Sequence, residues 1–203
     1  MTGGVAGAAD NACMKVLGLK AVTLAVGIAL ALAACSPALN WRTVQLKDAP
    51  LQIALPCDPQ TATRPVALGL GTVQLSVLGC EARQATYAVS HFRVAEPARA
   101  AETLAYWQAA VLAQLHSERA AGQAALLHAR GDGPWVTAGA LNLPQSQRLT
   151  FEGLDAGGRK VVGHGLWFAR MEGSAARVYH AVIYADQLLP AEADTFFAGL
   201  RLQ

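Results

Sequence analysis

Five histidines are the first place to look for chemistry in this chain: His91, His116, His128, His164 and His180. No two stand at the HxH or HExxH spacing that makes a metal-binding pair on one strand or one helix face. His164 and His180 fall in runs that read as neighbouring strands, so a cross-strand pair is the one arrangement that brings two together. Half-buried sheet histidines are commoner than metal sites, and that is the reading taken for each. Without a zinc-like ligand set there is no basis for an activated water. Neither a metal nor a cofactor is expected.

Nucleophiles fare no better. No GxSxG occurs, and Gly173-Ser174 reads as a turn. A Ser/His/Asp site built from distant residues would leave no local trace. Glu192 and Asp194 lie two apart on a predicted helix, so they face different ways and serve its N-terminal dipole more simply than acid–base work. Gly69-Leu70-Gly71 and Gly163-His164-Gly165 are isolated, and the second lies within a strand-like run, so neither is a phosphate loop. Gly157-Gly158 reads as a hairpin turn. No catalytic residue is assigned, and the chain reads as a non-enzyme. Aromatic side chains offer a contact surface instead. Trp135 stands in a loop-like stretch, while Trp167 and Phe168 are adjacent on one strand and point to opposite faces. Either one of that pair is exposed, or both faces of the sheet are covered.

Composition narrows the partners. With 16 basic and 14 acidic residues in 203, a formal charge of +2 gives no electrostatic case for nucleic acid. A hydrophobic content of 53% against 15% charged excludes disorder as the dominant state.

Apolar character is concentrated near the N-terminus. Ala21 to Ala34 reads AVTLAVGIALALAA, too short for the ~20 apolar residues of a bilayer-spanning helix. Lys15 and Lys20 before it, and small residues at its end, match the regions of an export signal. The first thirteen residues fit no part of such a signal, which places the expected start of translation at Met14. The run ends in Leu32-Ala33-Ala34-Cys35, which resembles the lipobox of bacterial lipoproteins: an aliphatic residue, two small residues, then cysteine. The resemblance implies that Cys35 is acylated and opens the mature chain; an ordinary signal peptide with a chance cysteine is the competing reading. Two or more acyl chains supply the stable anchoring that a single myristoyl chain lacks. In enterobacterial lipoproteins an Asp after the cysteine implies inner-membrane retention, so Ser36 here points to the outer membrane, facing the periplasm. Residues 1–34 are therefore expected to be a signal peptide and 35–40 a lipidated tether of about 20 Å at most. Residues 41–203 follow as a single domain. The stretch Cys35-Ser36-Pro37-Ala38-Leu39-Asn40-Trp41-Arg42 is similar to the mature N-termini of lipoproteins of β-proteobacteria.

With Cys35 committed to lipid, Cys57 and Cys80 remain in the exported part. An even pair there reads as a disulfide, closing a loop of about 22 residues worth roughly 3 kcal/mol in the chain-entropy model. Two buried free thiols or a metal site are the alternatives, although neither His nor Cys lies between them to add a ligand.

Leu51–Pro56, Thr72–Gly79 and Ala85–Val94 read as strands, the latter two by period-2 alternation. Turns are supplied by Gly69, Gly71 and residues 81–84. Pro97 opens a helix expected to run from Ala98 to about Gln123, with Leu104, Trp107, Ala110, Val111, Gln114 and Leu115 on its apolar face. Residues 122–139 read as a loop. Strands return at 140–143, 148–154, 160–170 and 176–185, followed by a closing helix from Pro190 whose Phe196, Phe197 and Leu200 cap the core. Strands in runs around one long helix argue for an α+β fold with an antiparallel sheet. The Leu55-Pro56 strand end, the helix after Glu96-Pro97, the late hairpins and the terminal Thr195-Phe196-Phe197-Ala198-Gly199-Leu200-Arg201-Leu202 together resemble the Mog1/PsbP-like family. That resemblance implies an α/β/α sandwich among binding and assembly factors, with no catalytic residue to carry over. The function expected is a lipid-anchored, non-catalytic binding or accessory module at the envelope, bound to the membrane through Cys35 and to an envelope protein or small ligand. An envelope hydrolase with a non-local site, or a structural tether of the outer membrane, are the alternatives.

Overall fold

A long run of β-branched and aromatic residues, Ala175–Ala185 (AARVYHAVIYA), forms the middle of the molecule. The computed structural model describes residues 39–68, 71–115, 128–155 and 157–203. The signal segment, Cys35, His116 and the far end of the expected helix lie outside the described residues.

In chain order the strands are β1 (Arg42–Gln45), β2 (Leu51–Leu55), β3 (Gln60–Ala67), β4 (Thr72–Ala82), β5 (Ala85–Val94), β6 (His128–Pro134), β7 (Gln147–Leu154), β8 (Lys160–Glu172), β9 (Ala175–Ala185) and β10 (Arg201–Leu202). The helices are α1 (Ala100–Ala113), entered through a 3-10 turn at Pro97–Arg99, and α2 (Pro190–Ala198). Seven strands make one antiparallel sheet in the order β3-β4-β5-β9-β8-β7-β6, and β1-β2-β10 make a small antiparallel sheet. The class is α+β, as the element order predicts.

Period-2 alternation then sorts the side chains between two cores. On one face of the large sheet, Tyr87, Val89, Leu166, Phe168, Tyr179, Ala181 and Ile183 pack against Leu51, Ile53 and Leu55 of the small sheet and Phe196 and Phe197 of α2. On the other, Phe92, Phe151, Trp167, Val178 and Val182 pack against Ala100, Leu104 and Trp107 of α1. Those α1 residues follow the i, i+4, i+7 spacing of an amphipathic face. Each fully buried side chain of this size contributes roughly 2 kcal/mol of transfer free energy. Central strands buried on both faces also settle the Trp167–Phe168 alternative. Both are 0% exposed, so Trp167 marks no contact surface.

Several local expectations are corrected. α1 ends at Ala113, and Gln114 turns its amide back to the Val111 carbonyl at 3.3 Å. Residues 128–134, read as loop, form β6. It tolerates Gly131, Gly133 and Pro134 because only one of its edges is paired, with a register shift between Gly131 and Pro134. Residues 140–143 are not a strand; the Leu141 amide bonds the Ala169 carbonyl of β8 at 2.7 Å, and local turn bonds such as Ala140 N–H to Thr137 O at 3.0 Å and Ser146 N–H to Leu143 O at 2.9 Å shape the rest. The exposed β3, with Pro65 within it, is an edge strand that apolar periodicity does not reveal.

Two glycines of β8 have a packing role. A Cβ on Gly163 would stand 2.0 Å from the Phe151 ring, and one on Gly165 would stand 2.7 Å from the Trp167 ring. The Gly163-His164-Gly165 segment is thus a floor on which two aromatic rings lie.

Candidate functional site

Where the β1–β2 loop crosses the large sheet, a chain of polar side chains runs from solvent into the interior. Ser76 on β4 and His91 on β5 are cross-strand partners, and both are buried although they sit in otherwise apolar runs. Asp48, half-exposed in the loop, reaches down to both. Ser76 Oγ donates to Asp48 Oδ2 at 2.8 Å, and His91 Nε2 stands 3.3 Å from Asp48 Oδ1. Thr63 Oγ1 on β3 is 3.1 Å from Ser76 Oγ. On the far side Arg177 of β9 donates from Nη1 to His91 Nδ1 at 2.9 Å. Its remaining nitrogens hold Glu172, with Nη2 2.9 Å from Oε2 and Nε 3.2 Å from Oε1, and Arg93 adds a contact to the same carboxylate at 3.3 Å.

Proton positions follow from the partners. A guanidinium only donates, so His91 Nδ1 must accept. The imidazole is therefore neutral, with its proton on Nε2 directed at Asp48. Burial pushes the His91 pKa down and Arg177 adds to that, while Asp48 and Glu172 pull the other way without overcoming it. For Asp48, burial opposes ionisation, but the Ser76 hydrogen bond, His91, its own backbone and Arg177 together hold the carboxyl below its ordinary range.

That arrangement decides what the cluster can do. Catalytic acyl transfer needs a histidine between nucleophile and carboxylate, with a lone pair free for the hydroxyl proton. Here the carboxylate stands between serine and histidine, and Arg177 occupies the histidine lone pair. Ser76 is left facing an acid-shifted carboxylate, a poor base. The chain Thr63–Ser76–Asp48–His91–Arg177–Glu172 is a clasp that fixes the β1–β2 loop on the sheet, and its order is not that of an acyl-transfer triad.

The sequence-derived candidates are placed as follows. Cys57 and Cys80 are joined by a disulfide, Cα to Cα 5.9 Å, tying the turn after β2 to β4. His164 and His180 do not meet. His164 pairs with Ile183 in register and faces the small sheet, whereas His180 pairs with Trp167 on the α1 side. His180 is stacked on Trp167 at 4.1 Å and meets Trp107 edge-on at 5.6 Å; burial alone pushes its pKa down to about 3. Among the described residues no group of three or more His, Cys, Asp or Glu side chains is placed to hold a metal. Trp135 is half-buried against the small-sheet core, its backbone amide bonded to the Ser146 carbonyl at 3.0 Å. Glu192 lies in the first turn of α2, and Asp194 pairs with Arg148 at 2.8 Å.

One feature was not visible in the sequence. A groove of about 650 Å³ runs over the outer strands β3, β4 and β5 beside the disulfide. Its floor is small, with Ala62, Gly79 and Ala88, and the carboxylates of Asp58 and Glu81 stand along it. A Cβ on Gly79 would lie 2.7 Å from the Tyr87 carbonyl oxygen, so the floor cannot easily carry a larger residue.

No protein-family model, no curated protein and no solved structure matches the chain.

Proposed function

We propose that this chain is an exported lipoprotein, held to the outer membrane through acylated Cys35, whose folded part binds an envelope protein or small ligand without chemistry of its own. The observation that carries the reading is the Cys57–Cys80 disulfide in a chain that also holds Leu32-Ala33-Ala34-Cys35. Disulfides persist in oxidising compartments such as the periplasm, and a cytosolic home would leave the pair reduced. Trp41 supports the geometry of the anchor. It packs edge-on against buried Tyr87 at 5.8 Å, so the chain joins the fold only a few residues after Cys35. A domain so tethered works at the membrane surface.

Within this reading the groove over β3–β5 is the binding surface. The disulfide beside it pre-orders one wall, which lowers the entropy lost on binding. We further propose a Mog1/PsbP-like sandwich for the fold, a reading supported by the order of its elements and its closing helix. In-cell crosslinking of a C-terminally tagged chain, followed by mass spectrometry, tests the binding role. A single near-stoichiometric envelope partner, lost when Ala88→Trp fills the groove, is the expected result. A partner retained equally by that folded variant would remove the groove from the account, and hydrolysis of ester or peptidoglycan substrates above a heat-inactivated control would replace binding with catalysis.

A further inference from the structure

The chain enters the fold at one end of the large sheet. Trp41 packs edge-on against Tyr87, and β1 pairs Arg42 with Leu55 before running on toward Asp48, which meets Ser76 and His91. Register fixes what else stands at the entry end. Tyr87 is level with Cys80 and Ile183, and Ile183 with His164. A few residues beyond this row, β4 turns into β5 at Arg83-Gln84, β7 turns into β8 between Leu154 and Lys160, and β9 leaves for the loop 186–189. Residues 157–160 and 186–188 are exposed. The opposite end holds the β8–β9 turn at Gly173-Ser174 and the end of β5 at Val94. The 11 residues of β9, at about 3.4 Å each, set the two ends about 35 Å apart.

We propose that the entry end, with Lys160, Gln187 and Leu188 foremost, is the surface that lies against the lipid headgroups. The inference rests on the reading of Cys35 as the acylated residue. Leu39, where the described chain begins, is the fourth residue after Cys35. Even fully extended, such a tether spans only about 14 Å. The entry end is within that reach, and the opposite end, farther off by more than twice that length, is not.

The chemistry of this end suits that contact. Leu188, 52% exposed, is the most exposed large apolar side chain among the described residues, and it stands on the loop 186–189. The boundary between headgroups and acyl chains takes such a side chain out of water. Met171, 43% exposed, lies at the opposite end, beyond the tether. Charges at the entry end largely cancel. Arg159 pairs with Asp155 at 2.7 Å, Lys160 with Glu152 at 3.5 Å, and Arg42 with Asp58. Of the rest, Arg83 opposes Glu81 and Asp186 in sign. Anionic headgroups therefore neither draw nor repel this end strongly, and the anchor and Leu188 set the contact. The groove shares the same end: Glu81 and Thr86 of its lining are cross-strand partners beside the β4–β5 turn. An occupant of the groove is then met at the membrane surface.

Fluorescence quenching tests the orientation. The lipidated chain is reconstituted in phosphatidylethanolamine–phosphatidylglycerol vesicles that carry a short-range quencher on the headgroup. Lys160→Cys, Gln187→Cys, Glu96→Cys and Ser174→Cys each supply one labelling position at an exposed site, while the disulfide keeps Cys57 and Cys80 out of the reaction. Labels at 160 and 187 should lose most of their fluorescence, and labels at 96 and 174 should keep theirs. Equal quenching at all four positions, or stronger quenching at 96 and 174, overturns the orientation and leaves the anchor standing. A chain that does not float with the vesicles overturns the anchor reading and the orientation with it. Should a labelled variant not fold, hydrogen exchange of the wild type decides. Exchange in residues 186–189 must be slower on vesicles than in the unanchored Cys35→Ala chain, with residues 173–175 unchanged; no slowing at 186–189 refutes the proposal.

Discussion

Removing the Cys57–Cys80 bridge with the double substitution Cys57→Ala, Cys80→Ala has an effect whose size follows from the topology. The two cysteines are separated by 23 positions. In the unfolded chain, opening a loop of that length restores about 11 cal/mol/K of conformational entropy, or roughly 3 kcal/mol at 25 °C. The native state changes little, because both cysteines are only partly buried and alanine leaves a small void. For a domain of this size each kcal/mol moves Tm by about 2–4 °C, so Tm should drop by roughly 6–12 °C. Urea denaturation followed by tryptophan fluorescence measures the free energy, with and without reductant. Reduced wild type should coincide with the double variant, and reductant should leave that variant unchanged. A loss under about 1 kcal/mol would refute the reasoning, since it would mean the unfolded chain is not constrained by the bridge.

Other consequences are separately measurable. His180 is neutral in the fold with its pKa lowered to about 3, so its contribution is intact above the unfolded value of 6.5 and is lost as pH falls from there toward 3. By pH 5 this amounts to about 2 kcal/mol, and His180→Phe should flatten the stability profile by that amount; an unchanged slope in the variant contradicts the burial argument. Asp48→Asn leaves one of two donors, Ser76 Oγ or His91 Nε2, facing an amide, at a cost of about 1 kcal/mol by denaturation because the site is half-exposed. Gly163→Ala puts a methyl into the Phe151 ring and should cost about 2–3 kcal/mol, mostly recovered in a Phe151→Leu background; no recovery would show that the clash is not with that ring.

How far the sequence carries depends on which physical signal each element leaves. β4, β5, β7, β8 and β9 announce themselves through alternation and β-branched content, and α1 through Pro97 and the spacing of Leu104 and Trp107. β3 and β6 are edge strands, and an edge needs neither apolar alternation nor freedom from Pro and Gly. The apolar Ala140–Leu143 run forms no strand; a Leu141 bond to Ala169 and local turn bonds hold it instead. The disulfide was legible once the compartment was inferred. The clasp was not, because residues 76, 91, 172 and 177 are brought together by the register of the large sheet and Asp48 reaches them from a loop of the small one. Its one local trace is Ser76 and His91 at inward positions of alternating strands, where a buried polar residue demands a partner. His164 and His180 illustrate the same limit. Strand neighbours are readable, but which face each side chain takes depends on a one-residue choice of register.

The central claim is attachment to the membrane through one cysteine. Cells expressing the chain with radiolabelled palmitate, fractionated and compared with a Cys35→Ala variant, test it most directly. The account requires label on the wild type in the outer-membrane fraction, and an unlabelled variant released from membranes with its Cys57–Cys80 bridge formed. Label retained after Cys35→Ala, or a wild type that stays in the cytosol with both thiols free, would contradict it.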